Sequence, residues 1–160
     1  MSTVISKHFS YDEVTITSHK EIPNTPSLVV LDTIVQTAQH MEAIREYLGF
    51  PVIVSSWYRS PPLCVAIGSK ATSQHTRGEA VDWTCPGYGS PLDIARVLSI
   101  PKNLKRFGID QLILEQRGDT AWLHTSFAIS PARVPRYQVL TLLASGGYAT
   151  GLTDIYGKRV

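Results

Sequence analysis

A chain of 160 residues with 43% hydrophobic residues suffices for one domain with its own core and carries no disorder-type bias. Its formal charge of +2 gives no ground for nucleic-acid binding and falls short of a polybasic membrane or wall anchor. No apolar run is long enough to span a bilayer, and residues 1–8 lack a charged head followed by an apolar core, so neither membrane insertion nor a secretory signal is expected.

Ser10-Tyr11-Asp12-Glu13 reads as a capping box that opens a short helix. Asn24-Thr25-Pro26-Ser27 starts a longer one, in which Leu28, Leu31, Val35, Ala38, Met41 and Leu48 recur at helical spacing and are assigned to the core. His40 on that helix has no evident metal partner. Residues 51–56 predict a buried strand with Arg59 just beyond its end. Residues 79–84 alternate in strand fashion, and Ser90-Pro91-Leu92-Asp93 opens a helix to about Leu98, with proline at a tolerated first-turn position. Residues 109–115 and 121–127 predict a hairpin, and 137–143 a further strand. The Gly-rich stretch 144–151 predicts a loose loop, too short for a wall-binding module. The pattern is α+β: residues 1–160 as a single compact domain, an antiparallel sheet with flanking helices.

The chemistry concentrates in two places, Ser73-Gln74-His75-Thr76-Arg77-Gly78-Glu79-Ala80-Val81-Asp82 and Trp122-Leu123-His124. Two imidazoles and a carboxylate form a typical ligand set for a catalytic zinc, which keeps a fourth position open for water. Seven residues of helix would separate His75 from Asp82 by roughly 10 Å along the axis, and seven of strand would put them further apart on opposite faces. Gly78 resolves this: a residue free to take positive φ lets the chain double back and return Asp82 beside His75. An arbitrary His/Asp pair is more often a loop histidine and a surface aspartate. The glycine-made return and a distant His124 in an apolar strand favour ligands. His8 and His19 read as exposed or local hydrogen bonders.

Cys64 and Cys85 each flank one of these segments and could pair, but a cytoplasmic product would usually keep them reduced. No Cys-x-x-Cys spacing supports zinc ligation by thiolates.

Ser-x-His-x-x-Gly-x-Ala-x-Asp followed by Trp-x-His resembles the signature of the zinc D-alanyl-D-alanine carboxypeptidases. Relatives of that family include phage L-alanyl-D-glutamate endolysins, vancomycin-resistance D,D-dipeptidases and the hedgehog signalling domain. Ser56-Trp57-Tyr58-Arg59-Ser60-Pro61 is similar to the family's Ser-Gly-Tyr-Arg-Ser-Pro element, and residues 107–115 to the strand before its last zinc histidine. The opening, with His8-Phe9-Ser10 and Asn24-Thr25-Pro26, resembles short phage-type members. The resemblance implies a hedgehog/D,D-peptidase-like fold, one catalytic Zn²⁺ on His75, Asp82 and His124, and Arg59 as the residue that holds a substrate carbonyl or carboxylate. It also implies peptidoglycan stem peptide as substrate. The absence of a signal or anchor in the sequence suggests a monomeric endolysin or virion-associated lytic subunit, cytoplasmic on synthesis and acting on the cell wall after phage-assisted release. A cytoplasmic D,D-dipeptidase and a catalytically inactive, metal-stabilised structural protein are the alternatives.

The departure lies at the general base. Many relatives carry Glu or Asp three residues before the last zinc histidine, where this chain has Ala121. A hairpin turn over residues 117–120 would face Gln116 with Ala121 and Glu115 with Trp122, setting Glu115 diagonal to His124. Glu115 is therefore the expected base, taking a proton from the attacking water and passing it to the leaving amine. Asp119, at the turn tip, is the reserve candidate. A one-residue change of register would turn Glu115 away.

Overall fold

The computed structural model describes residues 2–129 and 133–160. Short helix α1 (Tyr11–Val14) carries the expected capping box, in which Ser10 accepts from the Glu13 backbone and the Glu13 side chain returns to Ser10. Helix α2 (Leu28–Leu48) is capped by Ser27 and ends at Gly49 in the left-handed region. Its core stripe is Ile34, Thr37, Ala38, Met41, Ile44 and Leu48, whereas Leu28 and Val35 face solvent. The apolar spacing there admits two phases, and packing against the sheet selects the one containing Ile34 and Ile44.

The strands β1 (Ile53–Ser56), β2 (Ala80–Thr84), β3 (Ile109–Arg117), β4 (Thr120–Phe127), β5 (Gln138–Leu142) and β6 (Tyr148–Thr150) form one sheet in the order β1-β2-β4-β3-β5-β6. Strand β1 is an edge strand with Ile53 exposed, not the buried strand its run of Val and Ile suggests. The pairs are antiparallel except β3 with β5. Strand β4 ends beside the start of β3, with Phe127 opposite Ile109, and β5 begins at that same end of the sheet. Strand β5 must consequently run the same way as β3, Gln138 beginning beside Gln111.

Helices α3 (Pro61–Ala66), α4 (Pro91–Leu98) and α5 (Pro101–Phe107) all begin with proline in their first turn. Proline lacks only a donor that has no partner there. Helices α4 and α5 pack on β3, and the core joins α2, α4 and α5 to Val81, Trp83, Leu112, Leu123 and Phe127. Because side chains alternate across a strand, burying these residues on the helix side sends Asp82, Ile113, Glu115, Trp122 and His124 to the opposite face. Among the described residues no helix is long and apolar enough to cross a membrane.

Candidate metal centre

Three local devices bring the donors together. The 3₁₀ turn Gln74–Arg77 is capped by Ser73, whose hydroxyl accepts from the His75 amide at 3.3 Å, and it ends at Gly78 with φ +73°. A Cβ at Gly78 would lie 2.5 Å from Cγ1 of Ile34, so α2 passes directly under the reversal. The chain re-enters the sheet as β2, where Asp82 sits opposite His124 of β4 and Ser56 of β1. Asp82 Oδ1 lies 3.1 Å from His124 Nδ1 and 3.4 Å from His75 Nε2, and all three donors fall within 4.8 Å of one another. Ligands about 2.0 Å from a tetrahedral zinc stand about 3.3 Å apart. The donor set therefore fits a zinc ion.

The surroundings orient these donors. His75 Nδ1 lies 2.6 Å from the Trp57 carbonyl, which can only accept, so Nδ1 carries the proton and Nε2 presents its lone pair to the centre. The two oxygens of Asp82 have separate tasks: Oδ1 faces the imidazoles while Oδ2 accepts from Arg59 Nη2. Arg59 is itself fixed, its Nε donating to Ser56 Oγ at 2.8 Å and its amide to the His75 carbonyl at 3.2 Å. Burial works against the charge on Asp82, but the facing His75 and His124 imidazoles outweigh it and hold the carboxyl well below the usual carboxylate range. Burial pushes His75 below the usual imidazole range, only partly offset by Asp82. An ionised carboxylate beside a neutral imidazole is the protonation state that ligation requires.

Glu115 faces Trp122, and Gln116 faces Ala121, the register that the turn chemistry predicts. Gly118 has φ +58° at the first turn position, the pattern of a type II′ hairpin. Ile113 stands directly opposite His124, so Glu115 is diagonal to it. Burial, and then the charge of Asp82, push the Glu115 carboxyl above its usual range, with His124 and Arg59 pulling the other way. Asp119 is exposed at the turn and does not line the cleft that contains the other groups. This open cleft, about 1320 Å³, includes Arg59, His75, Asp82, Glu115 and His124.

Two features have no counterpart in the sequence reading. Asp110, 1% exposed, accepts from the Arg136 amide at 2.8 Å, from its guanidinium at 2.7 Å and from Gln74 Nε2 at 3.1 Å. This clamp ties the His75 turn to the segment before β5. Its only sequence signal is a charged residue inside an apolar strand. The second is Tyr148 on β6, which reaches the cleft from the stretch expected to be a loose loop. Cys64 and Cys85 are free and buried. His8 bonds Glu42 at 2.7 Å, His19 bonds Glu21 at 3.2 Å, and His40 bonds the Phe107 carbonyl at 2.9 Å, leaving these three outside the centre.

A buried His-Asp-His set on the open face of an α+β sheet, with a carboxylate of raised pKa beside it, defines a metal-dependent hydrolase. A family model for peptidase M15 matches residues 7–116, more than half of the chain. The chain belongs to the peptidase M15 family, of zinc D-Ala-D-Ala carboxypeptidase type, and is thereby a metallopeptidase. The matched span includes His75, Asp82 and Glu115 and ends before β4, which supplies His124. A search of curated proteins finds no match.

Proposed function

We propose that this chain is a single-domain, monomeric zinc peptidase that hydrolyses peptide bonds in the stem peptides of bacterial peptidoglycan. The observation that carries the reading is the meeting of His75, Asp82 and His124 at zinc-like separations on the floor of an open cleft, with Glu115 diagonal to His124. His75, Asp82 and His124 would hold the zinc, which would supply a Lewis acid for the scissile carbonyl and bring the pKa of water toward neutrality. Glu115, its carboxyl raised by burial, takes the proton of the attacking water and hands it to the leaving amine. Arg59, anchored through Ser56 and Asp82, turns its remaining donors to a substrate carbonyl or carboxylate.

The openness of the cleft favours a peptide still attached to the wall over a free dipeptide, and so an endolysin or virion-associated role over a cytoplasmic dipeptidase. Such a protein would be cytoplasmic on synthesis and reach the wall by phage-assisted release. Incubation with purified sacculi, with and without chelator, tests the reading: release of new amino groups that stops on chelation and returns with zinc is expected. Mass spectrometry of the fragments identifies the bond. No release by the zinc-loaded protein would leave the inactive structural reading, which Ala121 at the usual base position favours. Glu115→Ala should abolish release and Asp119→Ala preserve it.

A further inference from the structure

Five arginines line the cleft, and four are matched by carboxylates: Arg59 by Asp82, Arg77 and Arg133 by Glu79, and Arg136 by Asp110. Among the described residues Arg117 has no carboxylate within ion-pair distance. It lies two positions beyond Glu115 on β3, hence on the same face of the sheet. Lys70, the other cation without such a partner in the cleft, comes from the segment between α3 and the His75 turn.

The register places an aromatic donor on the same side as Arg117. Trp122 pairs with Glu115, Leu114 with Thr141, and Leu142 with Tyr148. Carrying the β3–β5 register one residue further sets Leu142 beside Glu115. Trp122, Glu115, Leu142 and Tyr148 thus form one row across four strands, facing the cleft. Strands β3 and β6 are separated by β5, about 10 Å across the sheet; Leu142 stands between Glu115 and Tyr148 in this row, and Arg117, two residues further along β3, lines the same cleft as Tyr148. Burial, and then the charge of Glu115, push the Tyr148 hydroxyl above the usual phenol range, with Arg117 pulling the other way, so it remains a donor.

We infer that Arg117 and Tyr148 form a subsite on the β6 side of the metal centre that receives a free carboxylate of the substrate peptide. The guanidinium supplies charge and paired donors, and the phenol supplies a third donor with a flat surface for the adjoining peptide. This subsite rests on the peptidase reading for its occupant. An acidic peptide residue, or the C-terminal carboxylate of a short peptide, would satisfy it. Arg117 is exposed at the end of β3, so its substitution leaves the core untouched.

The test measures binding of N-acetyl-L-Ala-D-Glu-L-Lys by calorimetry to zinc-loaded Glu115→Gln protein, with and without Arg117→Gln. The peptide is used in three forms: free acid, amidated at the glutamyl carboxyl, and amidated at the C-terminus. With Arg117 present, one of the two amidations should weaken binding about tenfold, the worth of one charge-assisted pair, and which one identifies the carboxylate. Arg117→Gln should weaken the free acid similarly and erase the discrimination. Arg117→Lys should restore part of it, and Tyr148→Phe should produce a smaller loss. Protein indifferent to both amidations, whether it binds all forms or none, overturns the subsite. So does an Arg117→Gln protein that discriminates as before. Charge-selective binding with no cleavage of peptide or sacculi by the wild type would sink the peptidase reading and leave the subsite standing.

Discussion

Replacing Asp82 with Asn changes one buried atom and several interactions together. The carboxylate is 5% exposed, accepts from Arg59 and stands 3.1 and 3.4 Å from the two imidazoles. Asn keeps the shape and removes the charge that offsets Arg59, whose side chain is 17% exposed. Breaking a fully buried pair costs about 3–5 kcal/mol. Residual exposure and the retained amide oxygen reduce this to about 1–2 kcal/mol in the metal-free protein. At about 2–4 °C per kcal/mol for a domain of this size, the metal-free variant should melt about 2–8 °C lower.

Zinc widens the gap. Zinc at a thousandfold over Kd stabilises the wild type by about 4.1 kcal/mol, or about 8–16 °C. A neutral amide is a poor zinc ligand, and an affinity loss of about a hundredfold removes about 2.7 kcal/mol of that, leaving about 3–6 °C. Calorimetric melts in chelator and in zinc at neutral pH measure both quantities. Because the Asp82 carboxyl is held down in the folded protein, its contribution is present above the ordinary value of 3.8 and lost as pH falls through the depressed one. The metal-free difference between the proteins should therefore shrink in acid. An equal zinc shift in both proteins would refute the ligand role, and a metal-free variant more stable than the wild type would refute the pairing argument.

Glu115→Gln acts in the opposite sense in the metal-free protein. A carboxyl raised in the folded state contributes stability below its ordinary value of 4.5 and loses it as pH rises through the raised value. At neutral pH the metal-free variant should thus melt no lower than the wild type, and a clear drop would count against a desolvated carboxylate. Gly78→Ala places a Cβ 2.5 Å from Ile34 in a left-handed residue; a loss of about 2 kcal/mol or more is expected, with weakened zinc binding measured by competition against a chelating dye. Asp110→Asn breaks the clamp on Arg136, whose side chain is 53% exposed. The expected cost is about 1–2 kcal/mol after solvent screening, read as the denaturation midpoint.

What the sequence makes legible is local. The capping box at Ser10, the helix start at Ser90-Pro91 and the reversal at Gly78 depend on a few neighbouring residues, and they fold as read. The hairpin register is equally local, because a short turn fixes which residues face each other. The missing parts depend on distant contacts. The buried phase of α2 is chosen by the sheet beneath it, and the exposure of β1 by its place at an edge that no local pattern reveals. Strand β6 was hidden by Gly146 and Gly147, which serve the turn before it. Helices α3 and α5 carried usable signals in their first-turn prolines, and α5 also in Gly108 at its C-terminal end, but both are short. At the site, the return of Asp82 beside His75 is legible in Gly78, and the proposed ligand set comes from the family resemblance. The division of Asp82 between the imidazoles and Arg59, and the Trp57 carbonyl behind His75, arise only when three strands and a turn converge.

The central claim is that His75, Asp82 and His124 hold zinc while Glu115 moves the proton. Zinc content and sacculus hydrolysis, measured side by side on wild type, Glu115→Gln and His124→Ala, test it most directly. Glu115→Gln should retain about one zinc per chain and lose turnover by about 10²–10⁴-fold, and His124→Ala should lose both. A Glu115→Gln protein that still cleaves at the wild-type rate, or a His124→Ala protein that keeps its full zinc, would contradict the account.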